Sequence, residues 1–164
     1  MEKHVISALV ENHSGVLSRI SGLFSRRGYN IDSLSVGETE NPSISRMTIV
    51  TKADKQMQEQ IKKQLNKLIE VIKIVELNET SAVYRELALI KVGANHENRA
   101  EIIEIANIFR AHIVDVSKEV LILEATGDQG KIKALTEMLQ PYGIKEIVRT
   151  GLTALQRGEN ELKN

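Results

Sequence analysis

The chain has 164 residues, 22 basic against 22 acidic side chains, 41% hydrophobic residues and no cysteine. The zero charge balance argues against a nucleic-acid binder, which gathers Lys and Arg on one face, and without a thiol there are no disulfides, thiolate nucleophiles or zinc-thiolate sites. The N-terminus MEKHVISALVEN lacks the layout of a signal peptide and no stretch reaches roughly 18 uninterrupted apolar residues, so a soluble cytoplasmic protein is expected.

HVISALVE (4–11) is short, apolar and rich in Val and Ile, the pattern of a buried strand. Val16, Leu17, Ile20, Leu23 and Phe24 then form a helix stripe. Arg26-Arg27-Gly28 closes it, with basic residues for the negative end of the dipole and a glycine for the left-handed position beyond the helix. Residues 30–40 and 44–52 alternate, with Leu34 and Val36 on one face of the first, Met47 and Ile49 on one face of the second, and Asn41-Pro42 turning between them. This is a hairpin. Asp54 caps a helix carrying Met57, Ile61, Leu65 and Leu68, and EVIKIVEL (70–77) is another β-branched strand. Residues 1–77 thus read βαββαβ.

A polar linker, residues 78–83, precedes a repeat of the same order. YRELALIKVGA (84–94) is a strand. Asn98 and Glu101 have capping-box spacing ahead of a helix whose Ile102, Ile105, Ala106 and Phe109 share a face. AHIVDVS (111–117) and EVLILEATG (119–127) form strands joined tightly near Lys118; Asp128 starts a helix carrying Ile132, Leu135 and Leu139, stopped by Pro141 and Gly143; IKEIVRTG (144–151) is the last strand. LTALQRGENELKN (152–164) remains as a tail, grouped here with the second domain.

The expected fold is therefore α+β, two tandem ferredoxin-like βαββαβ domains over residues 1–77 and 84–164. Domains of about 75 residues bury little more than about 60% of their unfolded surface, and helices on one sheet face leave the other face and the edge strands bare. Self-association covers such surfaces, so a homodimer is expected in which first domains meet edge to edge or helix to helix.

Catalytic chemistry has little to draw on. His4, His13, His96 and His112 fall in different elements without paired metal-ligand spacing. His96-Glu97 could hold a cation or act as a base, though an ordinary solvated loop explains it as well. Gly127-Asp128-Gln129-Gly130 lacks the Lys-Ser/Thr ending of a phosphate loop and coincides with a helix cap. The stretch after the first strand is different. Asn12, Ser14 or both can cap the helix there, and the backbone N–H groups around Gly15 to Leu17, without intrahelical partners at the positive end of the dipole, can receive a carboxylate. Gly15 either lets a ligand or second chain approach the backbone or simply eases a tight turn; the spacing leaves both open.

The pattern Asn12-x-x-Gly15-Val16-Leu17-x-Arg19-Ile20, with Arg27-Gly28-Tyr29-Asn30-Ile31 leading into the next strand, resembles an ACT domain, the amino-acid-sensing module of biosynthetic enzymes. More narrowly, GLFSRRGYNIDSL, SRMTIVT and TGLTALQRG are similar to the small regulatory subunit of acetolactate synthase (acetohydroxyacid synthase), over essentially the whole chain. The resemblance implies a protein with no catalytic residues and no cofactor or metal of its own. Such a subunit binds and activates a large catalytic subunit carrying thiamine diphosphate, Mg and FAD, and confers feedback inhibition by valine in branched-chain amino-acid synthesis. It further implies an effector site where two ACT domains of a homodimer meet: Asn12, His13, Ser14 and Gly15 with the amides of Val16 and Leu17 from one chain, Asn30 and Ile31 from the other. His13 stands at a position the family lets vary and is included as lining. A stand-alone ACT-type regulator of another enzyme or of transcription is the alternative; a small ferredoxin-like enzyme using His96 or His112 would turn over without a partner.

Overall fold

The computed structural model describes residues 1–163. Its elements run in the order β1 (Glu2–Glu11), α1 (Val16–Arg26), β2 (Ser33–Glu38), β3 (Ile44–Ala53), α2 (Lys55–Asn66), β4 (Val71–Leu77), β5 (Ala82–Gly93), α3 (Arg99–Ile108), β6 (His112–Val116), β7 (Val120–Gly127), α4 (Gln129–Leu139), β8 (Ile144–Arg149) and β9 (Thr153–Gln156). Both halves are antiparallel βαββαβ sandwiches, with sheet orders β2-β3-β1-β4 and β6-β7-β5-β8.

In the first sheet Ile6 faces Ile49 and Ala8 faces Met47 across β1 and β3. Their common face packs on Val16, Ile20, Leu23 and Phe24 of α1 and on Ile61 and Leu65 of α2. The alternation that hid these residues also sends Val5, Ser7 and Leu9 to the opposite face, because strand side chains alternate. Helix α1 ends as its sequence requires. Gly28 takes φ +69°, its N–H reaches Ser25 O at 3.1 Å and the Tyr29 N–H reaches Phe24 O at 2.9 Å. The Phe24 and Tyr29 rings meet edge to face at 6.3 Å, completing a Schellman stop. Asp54 caps α2 by accepting the Met57 N–H at 2.8 Å.

The second core joins Ala88, Ile90 and Val92 of β5 and Leu121, Leu123 and Ala125 of β7 to side chains of α3 and α4, among them Ile102, Ile105, Ile132 and Leu135. Asp128 caps α4 through the Lys131 N–H at 2.8 Å, so Gly127-Asp128-Gln129-Gly130 is a turn and cap. The capping box expected of Asn98 and Glu101 is not formed. Asn95 replaces it, its Oδ1 accepting from the Glu97 and Asn98 amides at 2.9 and 3.1 Å, while Glu101 accepts from the Tyr142 hydroxyl at 2.8 Å.

Two expectations about boundaries change. Only Asn78 to Ser81 of the 78–83 linker is a turn, closed by the Ser81 N–H on Asn78 O; Ala82 and Val83 already belong to β5. The tail does not accompany the second domain: the compact units are Met1–Val83 with Leu152–Asn164, and Tyr84–Gly151. The physical reason is local. Leu152 is fully buried in the first unit, its N–H donating to Ser33 Oγ at 2.8 Å, and Ala154 offers its carbonyl to Arg46 at 3.3 Å. Strand β9 pairs with β5, and the Arg157 N–H donates to Ser81 O at 2.8 Å.

Candidate functional site

The turn between β1 and α1 is built by a backbone that only glycine adopts easily. Gly15 is the N-cap residue at φ +89°, ψ −15°, and no side chain caps the helix, so neither Asn12 nor Ser14 takes the capping role expected of it. A Cβ on Gly15 would meet nothing within 4 Å. Within one chain the conformation of the turn explains this glycine, and close approach of another group does not.

Asn12 is instead anchored outward, donating from Nδ2 to Pro42 O at 2.8 Å and to Glu38 Oε1 at 3.4 Å, with its own N–H on Ser43 O at 2.8 Å. The first helical N–H groups have no partners inside an α-helix, and the first turn of α1 carries no acidic residue to neutralise them. Arg19 is the first residue to return a bond, to Gly15 O at 2.9 Å. Val16 is buried, leaving only its backbone for a ligand, whereas Leu17 is 46% exposed.

Electrostatics near the turn come from four side chains, His13, Glu11, Glu70 and Arg19. His13 is exposed, with Nε2 2.8 Å from Glu11 Oε2 and Nδ1 3.1 Å from Ser14 O, so both ring nitrogens face acceptors. These bonds, that to Glu11 first, hold its pKa above the ordinary 6.5. Glu70 is buried and pairs through Oε1 with Arg19, while its Oε2 has no hydrogen-bond partner.

Asn30 and Ile31 do not begin β2 as expected. They lie in the loop before Ser33, with the Asn30 side chain donating to Asp32, Asn30 O accepting from Thr51 Oγ1 at 2.6 Å, and Ile31 packed against the first core. Thr51 faces His4 in the sheet, whereas Glu11, next to Asn12, faces Ile44. Seven residue steps of β1 separate those positions, roughly 23 Å at a strand rise of about 3.3 Å. One chain therefore keeps the two halves of the expected effector site at opposite ends of its sheet.

Elsewhere, His96 and Glu97 are exposed in the loop before α3 and His112 opens β6. Among the described residues no three His, Asp or Glu side chains converge as metal ligands. No helix among them is long and apolar enough to cross a membrane.

Residues 6–73, which span this βαββαβ sandwich, match the family model described as the AHAS small subunit-like ACT domain. The first unit contains an ACT domain. Residues 85–158 match the model described as the small subunit of acetolactate synthase, and the chain belongs to the family of acetolactate synthase small subunits. It is 55% identical over 97% of its length to a probable acetolactate synthase small subunit from Archaeoglobus fulgidus, covering 99% of that protein. It is 57% identical over 94% of its length to the acetolactate synthase small subunit of Mycolicibacterium smegmatis, covering 91% of it. The crystal structure of an acetolactate synthase small subunit from Thermotoga maritima superposes with a TM-score of 0.91 at 42% identity, covering 98% of this chain and 100% of that one.

Proposed function

We propose that this chain is the non-catalytic regulatory subunit of a cytoplasmic acetolactate synthase, that it activates the large catalytic subunit, and that it confers feedback inhibition by valine. Thiamine diphosphate, Mg and FAD belong to that partner, which performs the transfer chemistry. The observation that carries the sensing half is the turn at Gly15: amides at Val16 and Leu17 that no side chain among the described residues caps, a first helical turn free of acid, and Asn12 fixed to Pro42 beside it.

Valine's carboxylate sits on those amides, where the helix dipole favours an anion. Its ammonium finds carboxamide or carbonyl oxygens, and its isopropyl group finds the exposed Leu17 and a partner chain's Ile31. The separation of Asn30 and Ile31 from Asn12 in one chain supports a pocket completed across a homodimer of ACT domains, as does the vacant space around Gly15. A ligand held between chains favours whichever dimer geometry closes the pocket, and it shifts that equilibrium only by its differential affinity for the two states.

Burying a valine side chain supplies roughly 1.5–3 kcal/mol and a polar bond to a charged head group about 1.5–3 kcal/mol. After association costs these suit weak, reversible sensing. Discrimination against leucine or isoleucine by one methylene is about 1–3 kcal/mol.

Calorimetric titration of the full chain with valine, beside an Asn12→Ala variant, tests the sensing half. Equal heats from both proteins would remove Asn12 from the site. Addition of the chain to the cognate large subunit should raise acetolactate formation and make it valine-sensitive; an unchanged rate with no valine response would defeat the regulatory assignment.

A further inference from the structure

Between the outer face of the first sheet and the returning tail lies a cavity of about 460 Å³. It adjoins a second cavity of about 450 Å³ that shares Glu40, Arg46, Leu155, Leu162 and Lys163. Volumes of this order suit a small-molecule ligand. Arg46 faces Leu9 across β3 and β1. Its Nε donates to Ser7 Oγ at 2.9 Å and its Nη2 to Ala154 O at 3.3 Å, leaving Nη1 without a partner among the described residues.

Burial lowers the pKa of this guanidinium below its ordinary value, the sign of a cation stripped of water. Yet no carboxylate among the described residues pairs with it, although Glu38 and Glu40 line the same cavity. A half-buried cation without an anion forgoes the charge-assisted bonds it is built to make. Lys163 in the same lining is already paired with Glu161 at 2.7 Å and lies in the field of Glu40, so Arg46 is the lining cation left without a carboxylate among the described residues. Charges of both signs around one space match a zwitterion, and Leu9, Ile44, Leu155 and Leu162 supply an aliphatic lining.

We propose that this cavity is a second ligand site, for a small aliphatic α-amino acid whose carboxylate meets Arg46, whose ammonium meets Glu38 and Glu40, and whose side chain meets Leu155 and Leu162. It is separate from the α1 turn and does not depend on valine binding there.

The test is a titration of the full-length, ¹⁵N-labelled protein with L-leucine. Amides of Asn41, Arg46 and Leu155 report the cavity; those of Gly15 and Val16 report the α1 turn. Saturable shifts are expected at the cavity amides, with affinity at least about tenfold weaker in Arg46→Gln and in Leu155→Glu and unchanged in Asn12→Ala. Leu155 is 60% exposed, so its variant keeps the test valid if loss of Arg46 unfolds the tail. 4-Methylpentanoate, which lacks the ammonium, and isopentylamine, which lacks the carboxylate, should each bind at least about tenfold more weakly than leucine. Wild-type affinity in Leu155→Glu, or equal binding by either analogue, would overturn the site. Leucine shifts confined to Gly15 and Val16 would also overturn it while leaving the α1 reading intact; shifts confined to the cavity would uphold it, and the α1 reading stands or falls separately on the valine titration.

Discussion

On the outer face of the first sheet Val5, Ser7 and Leu9 of β1 and Thr48 and Val50 of β3 are all buried, and the tail lies on that face through Leu152 and Ala154. The outer face of the second sheet, built on the same topology, leaves Leu89 38% and Val148 64% exposed side by side on β5 and β8. Two residues along each strand from that contact, and so on the same face, Lys91 and Glu146 form an ion pair at 2.8 Å. A small α+β sandwich has one sheet face its helices cannot reach. The first unit closes it with its own returning chain, and the second keeps it in water with charges among the aliphatic side chains. The same strap that seals the first face also walls the Arg46 cavity, so cover and a candidate binding site arise from one segment.

The sharpest way to break this comparison is to truncate one side chain on each face. Leu152→Ala removes a fully buried side chain and should cost about 2–5 kcal/mol. Val148→Ala, on the open face, should stay within about 0.5 kcal/mol. Hydrogen exchange resolved by residue separates the two units; equal losses of protection in both variants would show that the tail gives no special cover to the first.

A second contrast concerns buried carboxylates. Glu70 in the first unit and Glu86 in the second are both buried, each held by a partly exposed arginine, Arg19 and Arg149 respectively. Deleting either arginine strands an acid away from water, which should cost about 1–3 kcal/mol. Urea unfolding of Arg19→Ala and Arg149→Ala checks this, and Glu70→Gln should recover part of the loss in the Arg19→Ala background because the stranded group is then neutral.

Where the hydrophobic period was strong, the sequence was a sufficient guide: β1, α1, β3, α2 and the elements of the second unit fall close to where 2- and 3.6-residue spacing puts them. What escaped it was set by backbone conformation or by long-range contact. Asn12 and Ser14 are good capping residues and predict a side-chain cap at the α1 start, but Gly15 at φ +89° takes the N-cap position and no side chain caps the helix. In Asn95-His96-Glu97-Asn98 two asparagines compete, and Asn95 takes the Asx-turn bonds. The tail hid its strand in a short alternation, Leu152 and Ala154 against Thr153 and Leu155, whose buried partner surface lies more than a hundred positions away, as the Leu152 to Ser33 bond shows. The Arg46 cavity depends on that same return and carries no local pattern at all.

Glycines sharpen the comparison at the α1 turn. Gly15 has open space but a left-handed backbone, so Gly15→Ala should cost about 1–2 kcal/mol without any clash. Gly37 in β2 also has open space and lacks the positive φ, so Gly37→Ala should be neutral or slightly stabilising. Thermal unfolding distinguishes them. If Gly15→Ala kept full stability but lost valine binding, close approach by a ligand or second chain, rather than turn conformation, would be what the glycine serves.

The smallest expected effect is a pH dependence confined to the first unit's α1 turn. His13 has its pKa raised above 6.5, chiefly by the bond to Glu11 and then by that to the Ser14 carbonyl, with Glu70 adding a weaker attraction. The imidazolium is therefore fully present below the ordinary value and is lost as pH rises through the raised one. In the protonated state the His13–Glu11 pair is neutral overall; in the deprotonated state it leaves one negative charge beside amides that are to receive a carboxylate. Valine affinity should strengthen by roughly two- to fivefold as pH falls from above that window to below it, a size typical of exposed charges at helix ends. His13→Gln should flatten the profile, and about 0.5 M salt should shrink it by screening. A profile unchanged in His13→Gln would place the titrating group elsewhere and return His13 to a passive lining of the turn.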